Sequence, residues 1–335
     1  MPAQIPVDKP KVMSLKVPDF ETIRSKEFSY KLFGSKITNS KSPLFQNFIL
    51  DKQRLPHKYE LLQSTDVQMF VQHISGNKLA GAKREADLVF NGAAVTMPHK
   101  AIMADHVDIV DANAKGVGAI NTIYVRFDDT NTPLNIGTNT DTIGIRDSFL
   151  YNSKEAVEKN IKNGKPGLVY GGGGASRAAV YALHTFLGCA KIYVVNRFAH
   201  EIEALAQTMK ENGFTGEIVA VTLPEQAQTL EKPELVVLCV PDFAPSTNEE
   251  KTARATLEVF IQSPEKGSVI EMCYYPHVIT SLYKDFESAG WQVISGIEPM
   301  IYQGIAQQVL WTGYAVEEMP VKEAIGHVYQ SLKEA

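Results

Sequence analysis

Two residues of this 335-residue chain are placed as if to do chemistry: Lys100 in "GAAVTMPHK" (92–100) and Asp141 in "GTNTDTIG" (137–144). Each alone has an ordinary explanation. A lone lysine is a solvated charge, and an aspartate ahead of an apolar-periodic helix is an N-cap. Both, however, follow predicted strand ends in the first half of the chain, where an open α/β sheet presents its ligand crevice. Asn121, in "GAINT", lies in a third loop of the same character. A lysine beside a carboxylate in such a cleft can pass a proton to or from a hydroxyl.

A partner for that proton chemistry stands in "YGGGGASRA" (170–178), which puts Gly171, Gly173 and Gly174 between a predicted strand and a predicted helix. Such a turn lets a pyrophosphate approach the backbone, and the helix N-terminus supplies free N–H groups. A glycine cluster alone could be a flexible turn; the strand–loop–helix–strand context favours a dinucleotide. A nicotinamide there would take a hydride while the lysine handles the proton, which is alcohol–ketone interconversion. The next strand closes on Asn196-Arg197, with no carboxylate at its end, which leans toward a 2′-phosphorylated cofactor. Phe198 and Glu201 follow in place of a second cation, so this point stays open. The eight histidines are scattered and the three cysteines far apart, offering no metal cluster.

The elements that must position these residues read as α/β. The first two dozen residues look like a loose arm. "YKLFG" (30–34) is a strand, and Ser42 is a candidate cap with Pro43 opening a helix. "KYELLQ", the helix "DVQMFVQHIS" and a strand through "LVFNGAAVTM" follow, an alternation that predicts parallel neighbours. "GVGAINTIYVRF" gives a turn and a strand, "LNIGTNTDTIGIRDSFL" a polar loop running into a helix, and the polar stretch 152–166 a crossing to a second domain. There "GLVY", "KIYVVNR", "LVVLCV" and "GSVIEMCYY", the last ending at Pro276, are strands of a doubly wound sheet. Two closing helices follow. The expected division is an arm (1–27), an α/β substrate domain (28–146), a Rossmann-type dinucleotide domain (147–298) and helices packing back on the substrate domain (299–335).

Composition agrees with a globular chain: 44% hydrophobic, 21% charged and a net charge of -5. Basic runs no longer than two residues argue against nucleic acid. No segment has the length of a membrane span. The proline-containing start has no apolar signal region, and the isolated cysteines suit a reducing compartment, so the expectation is a cytoplasmic monomer or homodimer.

"FGSKITNSKSP", "GAAVTMPHK", "GAINT", "GTNTD", "YGGGGASRA", "VNR", "EMCYYP" and "YQG" follow one another in an order that resembles the shikimate/quinate dehydrogenase family. The resemblance spans residues 30 to 314, and its wording is most similar to the stand-alone fungal quinate dehydrogenases. It implies that Lys100 and Asp141 are the catalytic pair, with Lys100 carrying the proton. Ser40 and Ser42 would hold a substrate carboxylate. Thr96, Asn121 and Asp141 would meet ring hydroxyls, and Tyr274 and Gln303 would reach in from the other side. Gly171, Gly173, Gly174 and Ala175 would take the pyrophosphate, with Asn196 and Arg197 near the adenosine ribose of NAD(P). The fungal likeness tilts the cofactor to NAD. The chain departs from the family at Asn39, where histidine is usual, at Ala94 in place of an asparagine, at Gly296-Ile-Glu-Pro299, and at Phe198 and Glu201. These departures bear on which ring acid is bound, quinate or shikimate or another cyclic polyol acid. A ligand sensor that kept the fold without catalysis is the alternative of a different class.

Overall fold

The computed structural model describes residues 14–274 and 277–333, and these build two six-stranded sheets. The first sheet contains β1 (Ser29–Gly34), β2 (Lys58–Gln63), β3 (Gly92–Val95), β4 (Ile109–Val110), β5 (Thr122–Phe127) and β6 (Pro133–Thr138). Their order is β2-β1-β3-β5-β6-β4. The second contains β7 (Gly167–Tyr170), β8 (Lys191–Val195), β9 (Glu217–Val221), β10 (Leu235–Leu238), β11 (Ser268–Glu271) and β12 (Gln292–Ser295). Its order, β12-β11-β10-β7-β8-β9, is parallel throughout. Counted from β7, that is the 3-2-1-4-5-6 winding of a Rossmann-type sheet, with its switch point between β7 and β10.

The first sheet has the parallel neighbours expected of β1, β2 and β3, but beyond them it is mixed. β1 pairs parallel with β2 and β3, but β5 runs antiparallel to both β3 and β6. The cause is the short turn 128–132: Asp128 Oδ1 accepts from the backbone N–H groups of Thr130 and Thr132, each at 2.8 Å. So tight a connection can only join antiparallel strands. β6 itself occupies part of the stretch expected to be a polar loop. Its Asn135 and Thr138 are polar yet buried, and Asn135 Nδ2 donates to the Ile74 carbonyl at 2.8 Å.

Two other expectations change. Residues 152–166 are not simply a crossing, because Lys154–Asn163 is a helix anchored by buried Val157 and Asn160. The arm is packed from residue 16 onward. Lys16 pairs with Phe127 through both backbone bonds, at 2.7 and 3.1 Å, and the helix Phe20–Ser25 buries Ile23 in the core of the first sheet. Residues 1–13 of that arm, and Tyr275 and Pro276 at the expected strand end, lie outside the described residues.

Helix Ile297–Thr312 joins the halves. It leaves β12 of the second sheet and drives Trp311, fully buried, into the core of the first, where the indole stacks on Tyr30 at 4.5 Å between ring centres. Trp311 Nε1 donates to the Ile123 carbonyl at 2.9 Å. This explains one of the small residues before Lys100: a Cβ on Gly92 would overlap the Trp311 indole. Helix Asp141–Asn152 packs against both Ile297–Thr312 and the helix Gly174–Thr185 that follows the glycine loop. Among the described residues, no helix is long and apolar enough to cross a membrane.

Candidate active site

Lys100 and Asp141 meet. Lys100 Nζ lies 2.6 Å from Asp141 Oδ2, and the two side chains are 27% and 21% exposed. Lys100 is reached by a tight path out of β3: Thr96 N–H donates to Phe33 O, His99 N–H to Thr96 O, and the Lys100 carbonyl accepts from Ile120 N–H at 2.8 Å. Asp141 is the first residue of its helix; Thr140, not Asp141, occupies the cap position. Its carboxylate is therefore free of capping duty and turns to the lysine. The Asp141 N–H is held by Asn139 Oδ1 at 3.1 Å.

Asn121 completes the triangle because β5 is antiparallel. Its N-terminal end falls at the same sheet edge as the C-terminal ends of β3 and β6. Asn121 Nδ2 donates to Asp141 Oδ1 at 2.8 Å, while its Oδ1 accepts from Thr140 N–H at 2.7 Å and Thr122 Oγ1 at 2.8 Å. Behind it runs a chain of buried amides whose pairing no local sequence pattern announces. Gln307 Nε2 donates to Thr122 Oγ1 at 2.9 Å, Gln46 Nε2 to Gln307 Oε1 at 2.8 Å, and Gln308 Nε2 to Gln46 Oε1 at 2.6 Å. Buried amides bonded in series orient one another; at the end of this row Gln308 Oε1 is buried without a hydrogen-bond partner among the described residues. Glutamines on an otherwise apolar helix were the available signal, but their partners lie more than 180 residues away.

These groups border a cavity of about 510 Å³. Ser40, Ser42, Thr96 and Asn121 line it from the first sheet, with Tyr274 and Gln303 opposite. Ser42 opens its helix instead of capping it; Lys41 is the cap residue, and Ser42 N–H donates to Ser40 Oγ at 3.2 Å. Lys36, Met272 and Met300 also face the cavity and were not foreseen.

A second cavity, of about 650 Å³, runs over the glycine loop. Gly171 has φ +119°, a conformation L side chains rarely adopt, which turns the chain sharply out of β7. Gly173 caps the helix Gly174–Thr185, whose N-terminal dipole favours an anion. Gly171 to Gly174, Asn196 and Arg197 line this groove; Ala175, exposed at the second helical position, does not. Arg177, passed over in "YGGGGASRA", lines it too. Its Nε is buried without a hydrogen-bond partner, and burial pulls its pKa down. An orphaned guanidinium nitrogen beside a helix N-terminus fits a pyrophosphate.

The two cavities are neighbours on one sheet edge. The groove is bordered by Cys239 and Val240 after β10, and the smaller cavity by Met272 and Tyr274 after β11. β10 and β11 pair directly, and Met272 N–H donates to Leu238 O at 3.0 Å. Among the described residues, no group of three or more His, Cys, Asp or Glu is arranged to hold a metal ion.

Comparison with known proteins adds four findings. Residues 32–123 match the family model described as the shikimate dehydrogenase substrate binding domain. The chain is 38% identical over 311 residues to quinate dehydrogenase of Emericella nidulans, covering 90% of this chain and 94% of that protein. Among solved structures, the dehydroquinate dehydratase and shikimate dehydrogenase of S. pombe AroM matches with a TM-score of 0.71 and 26% identity, over 91% of this chain and 53% of that one. Quinate dehydrogenase from Corynebacterium glutamicum, in complex with NAD, shares the fold at a TM-score of 0.70 and 21% identity, over 92% of this chain and all of that one.

Proposed function

Since this chain belongs to the shikimate and quinate dehydrogenase family, we propose that it oxidises a ring hydroxyl of quinate or shikimate, and reduces the corresponding ketone, with NAD(P) as the redox partner. The observation that carries the reading is the 2.6 Å Lys100–Asp141 pair at the wall of a cavity that adjoins the glycine groove. When bound, a nicotinamide supplies the hydride acceptor. Everything else falls to the chain's own side chains.

Lys100 Nζ takes the hydroxyl proton in the oxidative direction and returns it in the reductive one. Asp141 orients the amine and is itself oriented by Asn121, so the proton carrier loses little freedom as the reaction proceeds. Ser40 and Ser42 donate their hydroxyls to the substrate carboxylate. Thr96, Asn121 and Asp141 engage ring hydroxyls, and Tyr274 and Gln303 close the opposite wall. Gly171, Gly173, Gly174 and Arg177 hold the pyrophosphate, and Asn196 and Arg197 stand by the adenosine ribose. Quinate is favoured by the 38% identity to a quinate dehydrogenase, and NAD over NADP by the carboxylates around Arg197.

The test mixes purified protein with quinate or shikimate and with NAD or NADP, and follows reduced nicotinamide by absorbance. Turnover is expected, fastest with quinate and NAD. Binding of the ring acid without turnover in any combination would replace the enzyme by a sensor.

A further inference from the structure

Arg197 is already engaged. Its Nη1 donates to Glu250 Oε1 at 3.1 Å, and its Nη2 lies 3.9 Å from Glu201 Oε1. Glu250 sits 53 residues further along the chain, in the first turn of helix Asn248–Ile261. That helix starts beyond the loop after β10, so Glu250 comes from across the groove that both residues line. Its other oxygen is fixed: Oε2 accepts from Ser246 N–H at 2.8 Å, Ser246 Oγ at 2.9 Å and Thr247 N–H at 3.1 Å. Those bonds, the backbone ones foremost, hold its pKa down to about 2, so the charge is permanent at any working pH. On the near side, Glu201 Oε2 accepts from Asn196 Nδ2 at 2.5 Å.

We propose that Glu250 is a specificity-determining residue for the dinucleotide: by holding Arg197 it denies a 2′-phosphate its cation and leaves the groove selective for a free ribose 2′-hydroxyl. This rests on the nicotinamide reading given above. A 2′-phosphate would have to pull Arg197 from a carboxylate that cannot turn away, and would then lie between two fixed negative charges. A hydroxyl faces no such conflict and can donate to either carboxylate. An arginine at a strand end, taken alone, reads as a phosphate site; with Glu250 opposite, it reads as the reverse.

Glu250→Gln tests this while sparing the helix, because glutamine also serves a capping box. Dissociation constants for NAD and NADP are measured by calorimetry without ring acid, beside kcat/KM for each cofactor. The ratio of NADP to NAD dissociation constants should fall by at least about tenfold in Glu250→Gln and in Glu250→Ala. The gain should vanish in Glu250→Gln/Arg197→Ala, because it runs through the released guanidinium. An unchanged ratio in both single variants, or a gain that survives loss of Arg197, overturns the proposal while leaving the dehydrogenase reading intact. Wild-type protein that binds neither dinucleotide overturns both.

Discussion

Replacing Lys100 with alanine removes the proposed proton carrier but leaves the buried amides behind Asp141 in place. In steady-state assays with quinate and NAD, kcat should fall by roughly 10²- to 10⁴-fold, the usual contribution of a positioned acid or base, with a smaller change in KM. Retained turnover would take Lys100 out of the reaction. Glu271 makes a different prediction at the same scale. It is 1% exposed at the end of β11, and burial raises its pKa to about 7, against the bonds it accepts from Cys273 N–H and Thr280 Oγ1. Between about pH 4.5 and 7 the folded chain keeps a proton there that the unfolded chain releases. Its contribution to stability is therefore full below that window and is lost as pH rises through it, by on the order of 3 kcal/mol. Urea titrations from pH 5 to 8 should show this decline in the wild type and a flatter profile in Glu271→Gln.

Elements differ in how openly the sequence declares them. The strand–glycine–helix unit at 167–185 was legible because apolar run, turn and amphipathic helix are contiguous, Lys100 because it follows such a run, and Asp141 because it precedes an apolar-periodic helix. β6 was not, since its buried Asn135 and Thr138 imitate a loop until Ile74 and the neighbouring strands supply their partners. β9 and β12 are short strands whose outward residues are half-buried or exposed, which blurs their alternation. The Gln46–Gln307–Gln308 chain and the Arg197–Glu250 pair depend on contacts between distant segments, which no local pattern encodes. Close packing between elements gives the next prediction. A Cβ at Gly144 would stand 2.5 Å from Pro299 O and 3.0 Å from Gln303 Cβ. Gly144→Ala should thus force helices Asp141–Asn152 and Ile297–Thr312 apart. It should cost about 1–3 kcal/mol in thermal or urea unfolding and raise KM for the ring acid, since Asp141 and Gln303 ride on those helices. Unchanged stability would mean the helices are not in fixed contact.

The described residues form two sheets, and helix Ile297–Thr312 is rooted in both. Ile297 begins where β12 ends, and Trp311 is locked under β1 and β5. Hydrogen exchange should show the amides of 300–312 among the slowest in the chain, while the loop at 240–246, where Phe243 is 55% exposed beside the groove, exchanges early. Rapid exchange through 300–312 would mean that the two halves are not coupled by this helix.

That helix is 16 residues long, roughly 24 Å at 1.5 Å per residue. A rod of set length pinned at both ends permits pivoting but resists stretching. Gln303, the seventh of its residues, rides on that rod and lines the same cavity as Lys100 and Asp141. However the two sheets pivot, a side chain on this rod keeps its distance along it from both anchors.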